Sequence, residues 1–325
     1  LSSVTTYYYR IAAQNSAGTS YGSENSFTTI TSSTPVPTPT SANISSFPIA
    51  TTSDVEFAVS AAFDGTNYLV GIQGGQNFNP DITAQLVSQT GALVGSLISV
   101  VPRTGGAPNV AFDGKNYLMV WTDDANYPND DIYGQFISTA GNLVGSPFPI
   151  NQAAGFQQTR TRNIIYDGAN YFVIWDSAPE INGCTDEYGQ FVTPSGQLLG
   201  SPIKINQTPC GGGTITLAFD GTKILAVWLS EWTSDGTQNG CWDNGEHCES
   251  TNVLGRFITK SGVGTPGAVS GNNFWISESP VSRHLPSVSF DGTNYLVVFP
   301  EDTGLPNVCG ATGCARGSPR ERCAW

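Results

Sequence analysis

The chain has 325 residues, with 26 acidic against 13 basic side chains and a formal charge of −13. Charged residues make up only 12%, about half the roughly 25% usual in soluble domains. No window of 18 apolar residues spans a membrane, and so few Lys and Arg leave no electrostatic footprint for nucleic acid. The abundance of Thr, Val, Tyr, Asn and Gly predicts an all-β protein.

Residues 1–30 read as a hairpin: an alternating strand to about Asn15, a Ser-Ala-Gly turn, and a second strand ending near Thr29. Residues 31–44, with Pro at alternate positions, read as an extended Pro/Thr/Ser linker. Residues 45–308 are repetitive, and 309–325 form an irregular tail holding Cys and Arg.

The repeat is anchored by an aromatic-Asp-Gly triplet at Phe63, Phe112, Tyr166, Phe219 and Phe290, spaced by 49, 54, 53 and 71 residues. A second motif trails it, as in Asp131-Ile-Tyr-Gly-Gln-Phe-Ile-Ser138 and Glu187-Tyr-Gly-Gln-Phe-Val-Thr193. A third closes each unit, as in Leu143-Val-Gly-Ser-Pro-Phe-Pro-Ile150. Units of about 50 residues with four strands each, A to D, predict the blades of a β-propeller. Five units are recognisable, and the fifth lacks a C strand. Ser46-Phe-Pro-Ile-Ala50 reads as a closing D strand without its blade.

The Asp of each triplet, Asp64, Asp113, Asp167, Asp220 and Asp291, is expected to form a turn with its Gly rather than to act chemically. Tyr68, Tyr117, Tyr171 and Tyr295 are expected to pack between blades. Strands alternate direction, so the B–C and D–A loops share one face. The B–C loops, 72–81, 122–130, 176–186, 229–251 and 300 onward, are long and all different, which marks that face as the working one.

All seven cysteines fall on that face or in the tail. Cys184 with Cys210, Cys241 with Cys248, and Cys309 with Cys314 are candidate disulfides, leaving Cys323 odd. Loop cysteines in a Lys-poor β protein imply an extracellular or cell-surface setting. B strands end in an aromatic followed by an acid. Trp121, Trp175, Asp176, Trp228, Glu231 and Trp232, with Arg160 and Arg283 from D–A loops, are the candidate ligand-binding residues; blade one breaks the pattern at Gly71. Asp123, Asp124, Asp130 and Asp131 are hard oxygen donors suited to Ca²⁺. No catalytic residue is assigned: no nucleophile–base pair, phosphate loop or dinucleotide fingerprint is present. Asn43-Ile-Ser45 and Asn206-Gln-Thr208 are glycosylation sequons.

Two resemblances accompany these readings. Leu1, Tyr7, Arg10 and Asn15-Ser-Ala-Gly18 resemble the last two strands of a fibronectin type III domain, with Tyr7 as the tyrosine-corner residue; the first strands of that domain are missing, so the chain reads as a piece of a longer protein. The Phe-Asp-Gly-x-Asn-Tyr repeats resemble those of bacterial secreted and surface propellers. The second resemblance implies architecture and compartment and no settled activity. The expected function is extracellular binding or adhesion, with the loop face presented to a glycan, matrix or protein partner. A glycoside-processing enzyme on the same face and a structural spacer are the alternatives. The sequence leaves the oligomeric state open.

Overall fold

A computed structural model describes residues 6–9, 12–15, 18–21, 25–28, 47–50, 56–74, 81–101, 105–125, 129–151, 158–178, 186–207, 214–230, 242–243, 246–247, 252–278 and 285–301. It divides into two units, Leu1–Pro48 and Ile49–Trp325.

In the first unit β1 (Thr6–Tyr9), β2 (Ala12–Asn15), β3 (Gly18–Tyr21) and β4 (Asn25–Thr28) form nested antiparallel pairs, β2 with β3 inside β1 with β4. Asn15 faces Gly18, so the chain reverses at the expected Ser-Ala-Gly turn. The linker lies outside the described residues.

The second unit is all-β, built from consecutive four-stranded antiparallel sheets. Blade one holds β5 (Glu56–Phe63), β6 (Asn67–Gly74), β7 (Asp81–Ser88) and β8 (Leu93–Val101). Blade two holds β9 (Gly106–Phe112), β10 (Asn116–Asp123), β11 (Asp131–Ser138) and β12 (Leu143–Asn151). Blade three holds β13 (Gln158–Tyr166), β14 (Tyr171–Ala178), β15 (Asp186–Val192) and β16 (Leu198–Lys204). Blade four holds β17 (Thr216–Phe219) and β18 (Lys223–Ser230), a small hairpin of β19 (Trp242–Asp243) and β20 (Glu246–His247) in its B–C connection, then β21 (Asn252–Thr259) and β22 (Val269–Ser277). Blade five shows β23 (Ser287–Phe290) and β24 (Tyr295–Val298).

The first strands pack on one another in succession, β5 on β9, β9 on β13, β13 on β17 and β17 on β23, and so form the inner row. The fourth strands are the most exposed: β12 is largely solvent-facing until Ile150. Apolar clusters lie between neighbouring blades, one for each of the four junctions. This is the arrangement of a β-propeller, as the repeat period predicts.

The repeat motifs carry the geometry. In all five triplets one carboxylate oxygen accepts two backbone amides, two and three residues on: Thr66 and Asn67 at 2.7 Å from Asp64, and likewise at Asp113, Asp167, Asp220 and Asp291. The following Gly has positive φ, from 90° at Gly168 to 101° at Gly292, where a Cβ would strain the backbone. The turn-forming role of the aspartates therefore holds in the structure. The Gln of the second motif ties strand C to strand D: Gln135 Nε2 donates to the Val144 carbonyl at 2.9 Å, as Gln190 does to Leu199 at 2.8 Å. In blade four Arg256 replaces it and reaches the carbonyls of Gly271 and Ile205.

Several expectations are corrected. Strands run further into the loop face than the sequence suggested, to Gly74, Asp123, Ala178 and Ser230, because cross-strand partners continue there. Ile72, not Gly71, stands opposite Thr83, in the register where Trp121 faces Tyr133. Residues 47–50 hold no strand; Ile49 and Ala50 instead pack on Val70, Ile72 and Val87 of blade one.

Candidate functional site

The B strands end and the C strands begin at one end of each sheet, and the central residues of the B–C and D–A connections lie outside the described set. Glu231, Trp232, Arg283 and every cysteine of the three expected disulfides, Cys184, Cys210, Cys241, Cys248, Cys309 and Cys314, fall there. Arg160 lies in β13, opposite Asp176 in register.

The described candidates divide. Trp121, Trp175 and Trp228 are at most 1% exposed and pack between blades. They are core, so the expected aromatic platform is corrected for all three: the alternation of strand B aims each indole at the preceding blade. Trp121 and Trp175 stack on Tyr133 and Tyr188 across the strand, at 6.3 and 6.4 Å between ring centroids. The indole N–H groups of Trp121 and Trp228 are buried with no hydrogen-bond partner among the described residues.

Asp123 and Asp131 face each other in register at the end of β10 and β11. Partial burial, then the Asp123 charge, raises Asp131, and burial with the same charge raises Asp124. No group of three or more His, Cys, Asp or Glu among the described residues is placed to hold a metal ion.

Blade three is different from its sisters at this end. Asp176, on β14, is 4% exposed, and its register partner Glu187, on β15, is fully buried. Arg162 donates to both Asp176 oxygens, from Nε at 2.8 Å and from Nη2 at 2.5 Å. Its side chain retains 28% exposure. Arg162 is the extra residue of a bulge: Thr161 faces Trp175 and Asn163 faces Ile174. A bulge re-aims a side chain, here onto the adjacent strand. Behind the pair, the Asn206 side chain accepts the Glu187 amide and donates to Asp186, both at 2.9 Å. Lys204 donates to the other Asp186 oxygen at 2.7 Å.

The electrostatics follow from burial. Loss of solvent, then the Asp176 charge, pushes Glu187 well above the ordinary carboxylate range, with Arg162 pulling the other way. Burial opposes the charge of Arg162, but the hydrogen bond and charge of Asp176, with Glu187 beyond, outweigh it and hold the guanidinium protonated. The cluster therefore sets an Arg–Asp ion pair beside a buried carboxyl whose pKa is raised.

Glu187 and the Arg162–Asp176 link escaped the sequence reading, although a signal was present. Four residues before each triplet aromatic stand Val59, Pro108, Ile215 and Pro286, and in blade three Arg162. Where Ile82, Ile132 and Val253 open strand C of the other full blades, blade three has Glu187. The backbone departs as well. Ala107, Thr214 and Leu285, all five residues before the aromatic, have positive φ of 50°, 49° and 39°, while the equivalent Thr161 lies within a nine-residue strand. Asn206 is only 2% exposed and hydrogen-bonded on both sides of its amide, so its sequon is closed to modification in the folded state.

No family model and no curated protein matches the chain. Solved structures similar to it include a thermostable family-43 glycoside hydrolase, with 13% identity over 79% of this chain and 86% of that one, TM-score 0.43. Others are an N10 neuraminidase-like protein of A/little yellow-shouldered bat/Guatemala (11% identity, 77% and 91% covered, TM-score 0.43) and an alpha-L-arabinofuranosidase from Lactobacillus brevis (9%, 78% and 85%, TM-score 0.42). Likenesses at this level carry no statement about ligand or reaction. No described helix is long and apolar enough to cross a membrane.

Proposed function

We propose that the chain is an extracellular binding module that takes a glycan at the loop end of blade three, beside Arg162. The observation that carries this reading is the concerted departure of blade three. Arg162 and Glu187 occupy positions that are apolar in the sister blades, and both lie at the loop end. A scaffold alone would repeat the apolar solution, and local rules are broken where function requires it. A guanidinium held by two hydrogen bonds is a pre-organised polar group with its remaining donors still part-exposed. Such fixed, directional groups suit a hydroxyl-rich ligand. Trp232, Glu231 and Arg283, from loops on the same end, are proposed to complete the surface. The resemblance of residues 1–30 to a fibronectin type III hairpin, the Pro/Thr/Ser composition of 31–44 and the loop positions of the cysteines support a multi-module protein at a cell surface. A glycan-array screen of the full chain tests the reading: specific binding is expected, and a clean negative on folded protein sinks it in favour of a protein partner or a spacer.

A second reading has its own observation. Asp176 and Glu187 are cross-strand neighbours, one paired to Arg162 and the other buried and pushed well above the ordinary carboxylate range. Two neighbouring carboxyls in unlike surroundings, one salt-bridged and one buried, are the elements of acid–base chemistry on a glycoside. The reading predicts turnover of glycoside substrates that Glu187→Gln abolishes without unfolding the protein. Binding without turnover rejects it.

A further inference from the structure

The seam between blades three and four is built unlike the other three described. At those a tyrosine hydroxyl reaches back to the Asp-Gly turn of the preceding blade: Tyr117 to the Asn67 carbonyl at 3.2 Å, Tyr171 to Asn116 at 2.9 Å and Tyr295 to Lys223 at 3.1 Å. Here Ile224 takes the place of the tyrosine, and polar links join the blades instead. At the turn end Asp167 accepts the Ser261 amide at 2.7 Å. Deeper in the seam the link is Arg256.

Arg256 lies on β21, on the face it shares with Leu254 and Ile258, and both of these belong to the cluster between blades three and four. Asp176 and Glu187 look onto the same seam, since Ile174, two residues before Asp176, is in that cluster too. Gln85, Gln135 and Gln190 hold the position of Arg256 in blades one to three, and each ties strand C to strand D of its own blade. Arg256 keeps that tie, with Nε and Nη2 on the Gly271 carbonyl at 3.1 and 3.0 Å. It adds a second one: Nη1 donates to the Ile205 carbonyl of blade three at 2.7 Å. Arg256 is only 8% exposed, and no carboxylate among the described residues pairs with it. Burying an unpaired charge is costly, and a glutamine closes the sister blades without one. What the arginine adds is reach across the seam.

Ile205 in turn holds Glu187. Its amide donates to the Glu187 carbonyl at 2.7 Å, and its side chain is fully buried between the blades. The next residue, Asn206, accepts the Glu187 amide at 2.9 Å. Both main-chain groups of Glu187 are therefore fixed by Ile205 and Asn206, and Ile205 is fixed by Arg256. Gln207 meets blade four beyond them, donating to Asn272 at 3.1 Å and accepting the Asn273 amide at 2.9 Å.

We propose, resting on the reading that the loop end of blade three binds ligand, that Arg256 is a positioning residue of that site: by holding Ile205 from blade four it sets the place of Glu187 beside Asp176 and Arg162. The site is then the product of two blades, although Arg162, Asp176 and Glu187 all belong to one.

Hydrogen exchange of the full chain, wild type against Arg256→Gln, tests this. The variant carries the residue that closes the sister blades, so β21 and β22 should keep their protection within about twofold. The amides of Ile205 and Glu187 should exchange roughly tenfold faster, the loss of one charge-assisted hydrogen bond. A glycan that the wild type binds should bind the variant roughly threefold to tenfold more weakly. Arg256→Lys, which keeps the charge and one donor at a time, should fall between the two. Unchanged exchange at Ile205 and Glu187 overturns the proposal, and so does exchange that rises equally throughout β21 and β22. Faster exchange with undiminished glycan binding overturns it as well. Should the Gln variant not fold, the same amides are read in Arg256→Lys, with the same outcomes. If the wild type binds no glycan, the binding reading falls, while exchange at Glu187 still decides whether Arg256 positions it.

Discussion

The hydroxyl of Tyr171 donates to the main-chain carbonyl of Asn116, one blade back, at 2.9 Å. That carbonyl also accepts the Asp113 amide that closes its own turn. One oxygen therefore serves the fold within a blade and the seam between two. Burial, then Asp113, pushes the Tyr171 hydroxyl far above its ordinary pKa, so it stays a donor throughout the working pH range. Tyr171→Phe should cost about 1 kcal/mol, the net worth of one hydrogen bond, because the carbonyl keeps its other partner. Urea unfolding measures it, and an unchanged midpoint would show the seam to be held by packing alone.

The aspartates of the repeat are not equal. Asp113 serves its own turn, through the amides of Lys115 and Asn116. Asp167 is fully buried and also binds the Ser261 amide of blade four at 2.7 Å. Its removal strands a buried donor in addition to loosening the turn. Asp167→Ala should therefore cost about 2–3 kcal/mol, against about 1 kcal/mol for Asp113→Ala. Ligand binding should survive both, because neither touches the loop end.

Glu187 makes the stability depend on pH in an unusual direction. Its folded-state pKa lies well above the usual 4.5. The folded state then holds a proton that the unfolded state has released, so stability is fully present below the unfolded pKa and falls as pH rises. One such group limits the slope to about 1.4 kcal/mol per pH unit. Glu187→Gln should flatten the dependence and melt higher than wild type at pH 8. Parallel melting curves across pH 5–8 would contradict a raised pKa at buried Glu187.

Asp220 acts in the opposite sense. Hydrogen bonds from the Thr222 hydroxyl and from the amides of Lys223 and Thr222 overcome partial burial and bring it down to about 2. Its contribution is present above the usual 3.8 and is lost as pH falls towards 2. Asp220→Asn should therefore matter at neutral pH and cease to matter in strong acid, as seen by melting at pH 7 and pH 2.

The blade architecture was legible because its determinants repeat. Each aromatic-Asp-Gly triplet encodes one turn, and the same carboxylate bonds recur five times. The indoles were less legible. An aromatic followed by an acid reads as a binding surface, but strand alternation sends Trp175 to the core while neighbouring Asp176 faces the other way. Glu187 was hidden inside the Tyr-Gly-Gln motif that follows it. Only a position-by-position comparison of the blades exposes it, because burial is a property of the place and the place is apolar everywhere else.

The most direct test of the functional account compares the two ends of the propeller on one glycan array. Arg162→Gln removes the charged group at the loop end, and Lys115→Gln removes one at the Asp-Gly turn end. The account predicts that the wild type and the Lys115 variant bind the same glycans, while the Arg162 variant, still folded, loses them at least tenfold. Retention of binding by the Arg162 variant, or its loss with Lys115, would contradict a site at the loop end of blade three.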